Sequence, residues 1–256
     1  MQSSRYGFYG DLKFMNDLQL KSSLEAKHTI SFQNKQLWTQ IDPESIPSTI
    51  EPTPELQCLA LLSNRALEIG CGMGETTLLL AKFGIPEVYG VDINPSVIDI
   101  VTEELAGSKI NFIVGDATEF RIETNHKFDL VVMQALLTCL PQKKDRIHAM
   151  KCAKDHLSKR GALYIADFLQ SWHLDDYKER YTRYGEICGE LGTFPVFNHD
   201  KQSVSYYAHH FTDCEIRASF DEVGLRIISF RHTSFWTRTG SKLNGFVAVV
   251  TNRNLE

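Results

Sequence analysis

Ala66-Leu67-Glu68-Ile69-Gly70-Cys71-Gly72-Met73-Gly74 runs a short apolar strand into a turn with three glycines, after which Glu75 to Phe83 reads as a helix. Glycine lets the backbone take positive φ and approach a ligand closely, and the unpaired N–H groups opening the helix point into the turn. This is the form of a loop that cradles a nucleotide. A second apolar strand, Val88-Tyr89-Gly90-Val91, ends in Asp92, 22 residues after Gly70 and placed to accept hydrogen bonds from ribose hydroxyls. A third, Ile110 to Val114, leads into Gly115-Asp116-Ala117, and a fourth runs from Phe128 to Met133.

Further along, Asn94-Pro95-Ser96 opens a helix with an N-cap followed by proline, and another helix is expected from near Pro141 to a glycine stop at Arg160-Gly161. A fifth strand, Ala162 to Ala166, ends at Asp167. Residues 168–211 form an insertion, helical in much of its pattern and rich in Tyr, Trp and His. Thr212-x-x-Glu215 is a capping box for a helix reaching Val223-Gly224, and strands at Leu225–Phe230 and Gly245–Thr251 close the set. Alternating strands and helices of this kind predict an α/β fold. Its Rossmann-like sheet has seven strands, mostly parallel with one antiparallel edge strand, and helices on both faces. The expected organisation is a cap segment at 1–55, which includes the proline-rich connector from Asp42-Pro43 to Pro54, and a catalytic domain at 56–256.

The chain has 256 residues, enough for one full core, with 43% hydrophobic content. Its 27 basic and 32 acidic residues leave a net charge of −5, which speaks against nucleic acid as a partner. No apolar run approaches membrane-spanning length and Met1-Gln2-Ser3-Ser4-Arg5 lacks a signal-peptide core, so a cytoplasmic protein is expected. The six cysteines include no C-x-x-C pair and are read as free thiols, with no metal site.

The strand–E-x-G-x-G of Glu68, Gly70 and Gly72, the acids Asp92 and Asp116, and the segment Met133-Gln134 after strand four resemble the class I S-adenosylmethionine-dependent methyltransferases, small-molecule type, over about residues 60–170. A dinucleotide dehydrogenase shares the first strand, turn and acid. The glycine spacing here is shorter than G-x-G-x-x-G, and Glu68 suits a ligand carrying an ammonium and a sulfonium. The resemblance implies S-adenosylmethionine as cofactor and S-adenosylhomocysteine as product. Asp92, with Ile93 beside it, takes the ribose diol, and Asp116 and Ala117 take the adenine. Gly70, Cys71 and Gly72 pass beneath the methionine portion, Glu68 orients the loop or the ammonium, and Met133 and Gln134 line the site.

Methyl transfer needs a positioned acceptor and little else from the protein, although a base helps where the acceptor must lose a proton. Catalytic candidates at the carboxyl ends of strands four and five and in the insertion are Asp167, His209, His210 and Tyr184, within a wider set of Gln134, Trp172, His173, Tyr177 and Tyr181. Tyr177, Tyr181 and Tyr184 share one helical face, which is either a packing stripe or an aromatic cage for a cationic or aromatic acceptor. The alternatives for the histidines and Asp167 are backbone-bonded structural groups and an N-cap. His148 is read as a surface residue and Lys143-Lys144-Asp145-Arg146 as a solvated helix face.

The expected function is methylation of nitrogen or oxygen on a small metabolite. The alternatives are a protein or, less in keeping with the charge, a nucleic-acid methyltransferase, and a noncatalytic cofactor-binding subunit. Tyr6, Phe8 and Tyr9 in the first segment are read either as part of a lid or as a homodimer contact.

Overall fold

The computed structural model describes residues 30–46, 51–123, 126–198, 203–237 and 240–253; Tyr6, Phe8 and Tyr9 lie outside them. Seven strands form one sheet: β1 (Arg65–Ile69), β2 (Glu87–Asp92), β3 (Ile110–Val114), β4 (Phe128–Gln134), β5 (Leu157–Phe168), β8 (Leu225–Trp236) and β9 (Lys242–Asn252). Their order is β3-β2-β1-β4-β5-β9-β8. The first five are mutually parallel, and β9 runs antiparallel to both β5 and β8. The antiparallel strand thus enters the sheet one place inside its end, with β8 outermost. Strands β6 (Thr193–Phe197) and β7 (Val204–His209) pair as a separate antiparallel hairpin.

Strict alternation along β4 builds the layers on either face. Leu130 and Val132 pack with Leu56 of α2 (Pro54–Leu61) and Leu80 of α3 (Glu75–Lys82). Val131 and Met133 pack on the opposite face with Ile147 and Met150 of α5 (Lys143–His156) and Phe220 of α7 (Asp213–Val223). A continuous apolar strand buried on both faces is what a parallel sheet demands. Asn94 caps α4 (Pro95–Glu104) by accepting from the Ser96 and Val97 N–H groups, and Thr212 and Glu215 form the capping box of α7.

Three local expectations are corrected. Helix α5 stops at His156 and the chain passes straight into β5, so Gly161 is a strand residue and not a helix stop; a Cβ there would lie 2.8 Å from the Phe128 carbonyl oxygen. The insertion is helical only in its first half, α6 (Asp175–Cys188), and the remainder is the β6–β7 hairpin. Lys143-Lys144-Asp145-Arg146 is not a solvated face, because Asp145 is 6% and Arg146 only 1% exposed. The Arg146 guanidinium donates to the Leu140 and Pro141 carbonyls and pairs with Glu190 and Glu215. His148 is exposed.

Helix α1 (Ile30–Gln40) packs with the insertion, where Ile30 shares a small core with Tyr181, Tyr184, Phe194 and Tyr207. Among the described residues no helix is long and apolar enough to cross a membrane.

Candidate active site

A cavity of about 1430 Å³ opens over the carboxyl ends of β1 to β4 and beneath α1, α6 and the hairpin. Gly70, Gly72 and Gly74 take φ of 75°, 47° and 73°, a region where side chains are strained. At Gly70 a Cβ would also stand 2.7 Å from Leu136 Cδ1. The loop is pinned by the Gly70 and Cys71 N–H groups, which both donate to the Val91 carbonyl at 2.7 and 3.0 Å.

Asp92 lines the cavity and ties two loops together. Its Oδ2 accepts from the Gly72 N–H at 2.9 Å and its Oδ1 from the Asn94 N–H at 3.0 Å. Each oxygen keeps acceptor capacity, as a vicinal diol would require. Glu68 also lines the cavity and is 3% exposed; burial pushes its pKa up to about 8, against the opposing pull of the Thr77 hydroxyl that donates to it. Burial likewise raises the Cys71 thiol, so it is no ready nucleophile.

Asp116 is more heavily engaged than sequence alone implies. Its Oδ1 accepts from the Thr118 N–H and hydroxyl at 2.8 and 2.7 Å, and its Oδ2 pairs with Lys35 Nζ at 2.6 Å. Burial works to raise its pKa, and the Lys35 and Thr118 bonds outweigh that and leave the carboxyl below its ordinary value. Ile93, Ala117 and Gln134 line the cavity as well, with Gln134 Nε2 donating to Thr76 Oγ1 at 3.2 Å. Met133 does not: the strand's alternation turns it into the core, where it is fully buried, and its assignment to the cofactor is corrected.

Loop glycines at positive φ, a diol-ready carboxylate and a buried acid beside the loop fit a nucleoside carrying an amino-acid end. The comparisons with known proteins agree. A family model described as "Methyltransferase domain" matches residues 66–161. A crystal structure of a SAM-dependent methyltransferase from Methanosarcina mazei is 32% identical, with a TM-score of 0.73, over 79% of this chain and 99% of that one. This chain belongs to the SAM-dependent methyltransferases.

Two further structures share the fold. A SAM-dependent methyltransferase from Anabaena variabilis is 19% identical with a TM-score of 0.60, over 89% of this chain and 96% of that one. The N-methyltransferase NodS from Bradyrhizobium japonicum, in complex with S-adenosyl-L-homocysteine, is 17% identical with a TM-score of 0.54, over 87% and 98%. A search of the curated proteins finds no match. The cofactor of this methyltransferase is S-adenosylmethionine.

On the acceptor side, the structure separates the catalytic candidates. Asp167 is wholly buried and does not line the cavity. Its oxygens accept from the Thr138 N–H at 3.0 Å and the Phe168 N–H at 2.8 Å. It holds the turn after β4, where Ala135 adopts a φ of 50° and Leu136, Thr138, Cys139, Leu140 and Pro141 form cavity wall. Burial raises its pKa to about 7. His209 also faces away, its ring nitrogens taken by Thr193 at 2.8 Å and Glu215 at 2.9 Å. Both are corrected from catalytic to structural positions, for the same reason: their polar atoms are consumed inside the protein. Among the described residues the one cluster with ligand geometry for a metal is Glu190, His209 and Glu215, and Arg146 already neutralises it.

His210 and Tyr184 do line the cavity. Tyr181 Oη accepts from the Ser171 N–H at 3.2 Å and lies 2.7 Å from His210 Nδ1. The phenol proton has no other acceptor among the described residues, so it goes to Nδ1 and places the imidazole proton on Nε2. Burial, with the charges of His209 and Arg180, pushes the His210 pKa down to about 3. It therefore presents a fixed N–H donor, and its expected role as a base is corrected. Trp172 and His173 are exposed and lie outside the cavity lining.

Sequence reasoning missed many cavity residues, among them Asn34, Lys35, Trp38, Arg180 and Asp145. Asn34, Lys35 and Trp38 come from α1, whose polar composition carries no ligand signal. Arg180 follows Tyr177 by three positions and so lies on the tyrosine face; that spacing was the available clue. Asp145, opening α5, lines the cavity beside Pro141, and its carboxylate has no hydrogen-bond partner among the described residues.

Proposed function

We propose that this methyltransferase acts on nitrogen or oxygen of a small metabolite, with residues 30–46, helix α6 and strands β6 and β7 flanking the acceptor. The cavity volume carries this reading, since about 1430 Å³ is well above what a single drug-sized ligand fills, roughly 300–1,000 Å³. Tyr177, Tyr184, Phe194, Phe197 and Tyr206 give the cavity an aromatic wall suited to a small acceptor. The net charge of −5 argues in the same direction.

When bound, S-adenosylmethionine would supply a methyl group on a positive sulfur for transfer to the acceptor lone pair, with the S–C electron pair left on sulfur and the acceptor's proton released to solvent. The chain's own work is placement and exclusion of water. Asp92 would hold the ribose, the glycine loop the amino-acid end, and Asp116 with Ala117 the adenine. Asp145 would accept a hydrogen bond from the acceptor's N–H or O–H and orient its lone pair. Formation of S-adenosylhomocysteine from a panel of small amines, phenols and acids tests the reading. Turnover is expected with a small molecule, and label transferred only to protein or nucleic acid would overturn it.

A further inference from the structure

Resting on the reading of this cavity as a small-molecule acceptor site, we propose that the acceptor carries a carboxylate, seated between the Arg180 guanidinium and the Nε2–H of His210. Arg180 lines the cavity with its Cζ 4.9 Å from the Tyr177 ring centroid and 5.5 Å from that of Phe194. His210 meets the same two rings, stacked on Tyr177 at 5.4 Å and edge-on to Phe194 at 5.0 Å. Two shared aromatic neighbours thus bring a cation and a neutral donor to one corner.

Neither group is satisfied by the protein. Arg146, Arg217, Arg231 and Arg253 each pair with a carboxylate, whereas Arg180 makes no ion pair or hydrogen bond among the described residues. Asp176 and Glu179, its neighbours on α6, are exposed and line the same cavity, and Arg180 forms no ion pair with either of them. A guanidinium lying against rings keeps its in-plane N–H edge for a two-oxygen anion. His210 is 4% exposed with Nδ1 committed to Tyr181, and its Nε2 has no partner among the described residues. Because His210 lines the cavity, a donor there with no protein partner is open to a ligand. One cation and one neutral donor match a singly charged carboxylate, one oxygen to each. The same arrangement argues against a cationic acceptor in the tyrosine face, because Arg180 already occupies it.

The test uses the full chain saturated with S-adenosylhomocysteine. Three carboxylates, propionate, phenylacetate and indole-3-acetate, are compared with their carboxamides for thermal stabilisation at matched ionic strength. At least one acid is expected to raise the melting temperature where its amide does not. Arg180→Gln should weaken that acid's binding by about tenfold to a hundredfold, with Arg180→Lys retaining part of it. Retained stabilisation of Arg180→Gln by S-adenosylhomocysteine verifies its fold; if that variant does not fold, His210→Phe, which removes the Nε2–H, is expected to weaken the same acid. No acid-specific shift in any pair, or a shift indifferent to both substitutions, overturns the proposal. An Arg180-dependent shift with no small molecule methylated leaves the seat standing and removes the proposed function. Methylation of neutral acceptors with no preference for acids does the reverse.

Discussion

Asn34 joins α1 to both walls of the cavity: its Nδ2 donates to the Cys139 carbonyl at 2.6 Å while its Oδ1 accepts from the Tyr207 N–H at 2.7 Å. One side chain, itself 2% exposed, bridges the turn after β4 and the hairpin strand β7. Asn34→Ala leaves two buried backbone groups unpaired, and a cost of about 1–3 kcal/mol in folding stability is expected, measured by urea unfolding. If α1 is a lid, the variant also releases S-adenosylhomocysteine faster in stopped-flow experiments. Unchanged release with reduced stability would leave α1 as a structural brace only.

Glu68 makes stability and ligand binding depend on pH. Its carboxyl titrates near 8 in the folded chain against an ordinary 4.5. Below about pH 4.5 both states hold the proton; between there and 8 the unfolded chain gives it up while the folded chain keeps it. Stability contributed by this group therefore falls as pH rises through that window. Asp167, at about 7 against 3.8, adds a fall of the same sign over its own window. Glu68→Gln is expected to flatten the slope of unfolding free energy between pH 5 and 8. An ammonium on the ligand favours the ionised carboxylate, so affinity for S-adenosylhomocysteine should rise from pH 6.5 to 8.5 in the wild type and stay level in Glu68→Gln. Titration calorimetry in buffers of different ionisation enthalpy reads the released proton. A level wild-type profile would separate Glu68 from the ammonium.

Arg146 sits where a cation is hardest to remove. It is 1% exposed, donates to the Leu140 and Pro141 carbonyls, and pairs with Glu190 and Glu215, the latter at 3.0 Å. Glu215 also closes the α7 capping box and meets His209. Replacing Arg146 by Met strands two partly buried carboxylates and two carbonyls, and about 3–5 kcal/mol of destabilisation is expected by chemical denaturation. A double variant that also carries Glu215→Gln should lose less than the sum of the two singles, since the strandings overlap.

How far the sequence reveals this molecule depends on whether a residue's task is local. The β1 loop, the Asn94 cap and the Thr212–Glu215 capping box depend on neighbours a few positions away, and their residue types spell out the geometry. Strand alternation similarly gives the two-faced core. Arg146 illustrates the opposite case. It lies in a charged run that looks solvated, and its partners Glu190 and Glu215 are 44 and 69 positions distant. Asp167 is a candidate because it ends a strand and His209 because it lies in the insertion just before the capping box, yet their bonding partners decide that they face inward. The hairpin β6–β7 escaped because its aromatics fall in a stretch whose preceding half, α6, has helical periodicity. Lys35 reaching Asp116 across 81 positions had no local sign at all.

Asp92 offers the sharpest test of the cofactor assignment, because its two oxygens do two jobs. Toward the protein they hold the Gly72 and Asn94 N–H groups; toward the cavity they would hold the ribose diol. Asp92→Ala should weaken binding of S-adenosylmethionine and S-adenosylhomocysteine by about 1.5–3 kcal/mol, the worth of hydrogen bonds to a charged group. Loosened loops alone would also reduce affinity, so adenosine and 2′,3′-dideoxyadenosine are compared by calorimetry. The wild type should prefer the diol, and Asp92→Ala should lose that preference while binding the dideoxy compound nearly as before. Asp92→Asn separates the two jobs further. Its amide can still accept one backbone N–H but presents hydrogens to the other, so it should lower folding stability more than a surface change while discriminating poorly between the two nucleosides. Equal loss for both nucleosides in Asp92→Ala would mean that the carboxylate only braces the loops and that the diol is held elsewhere.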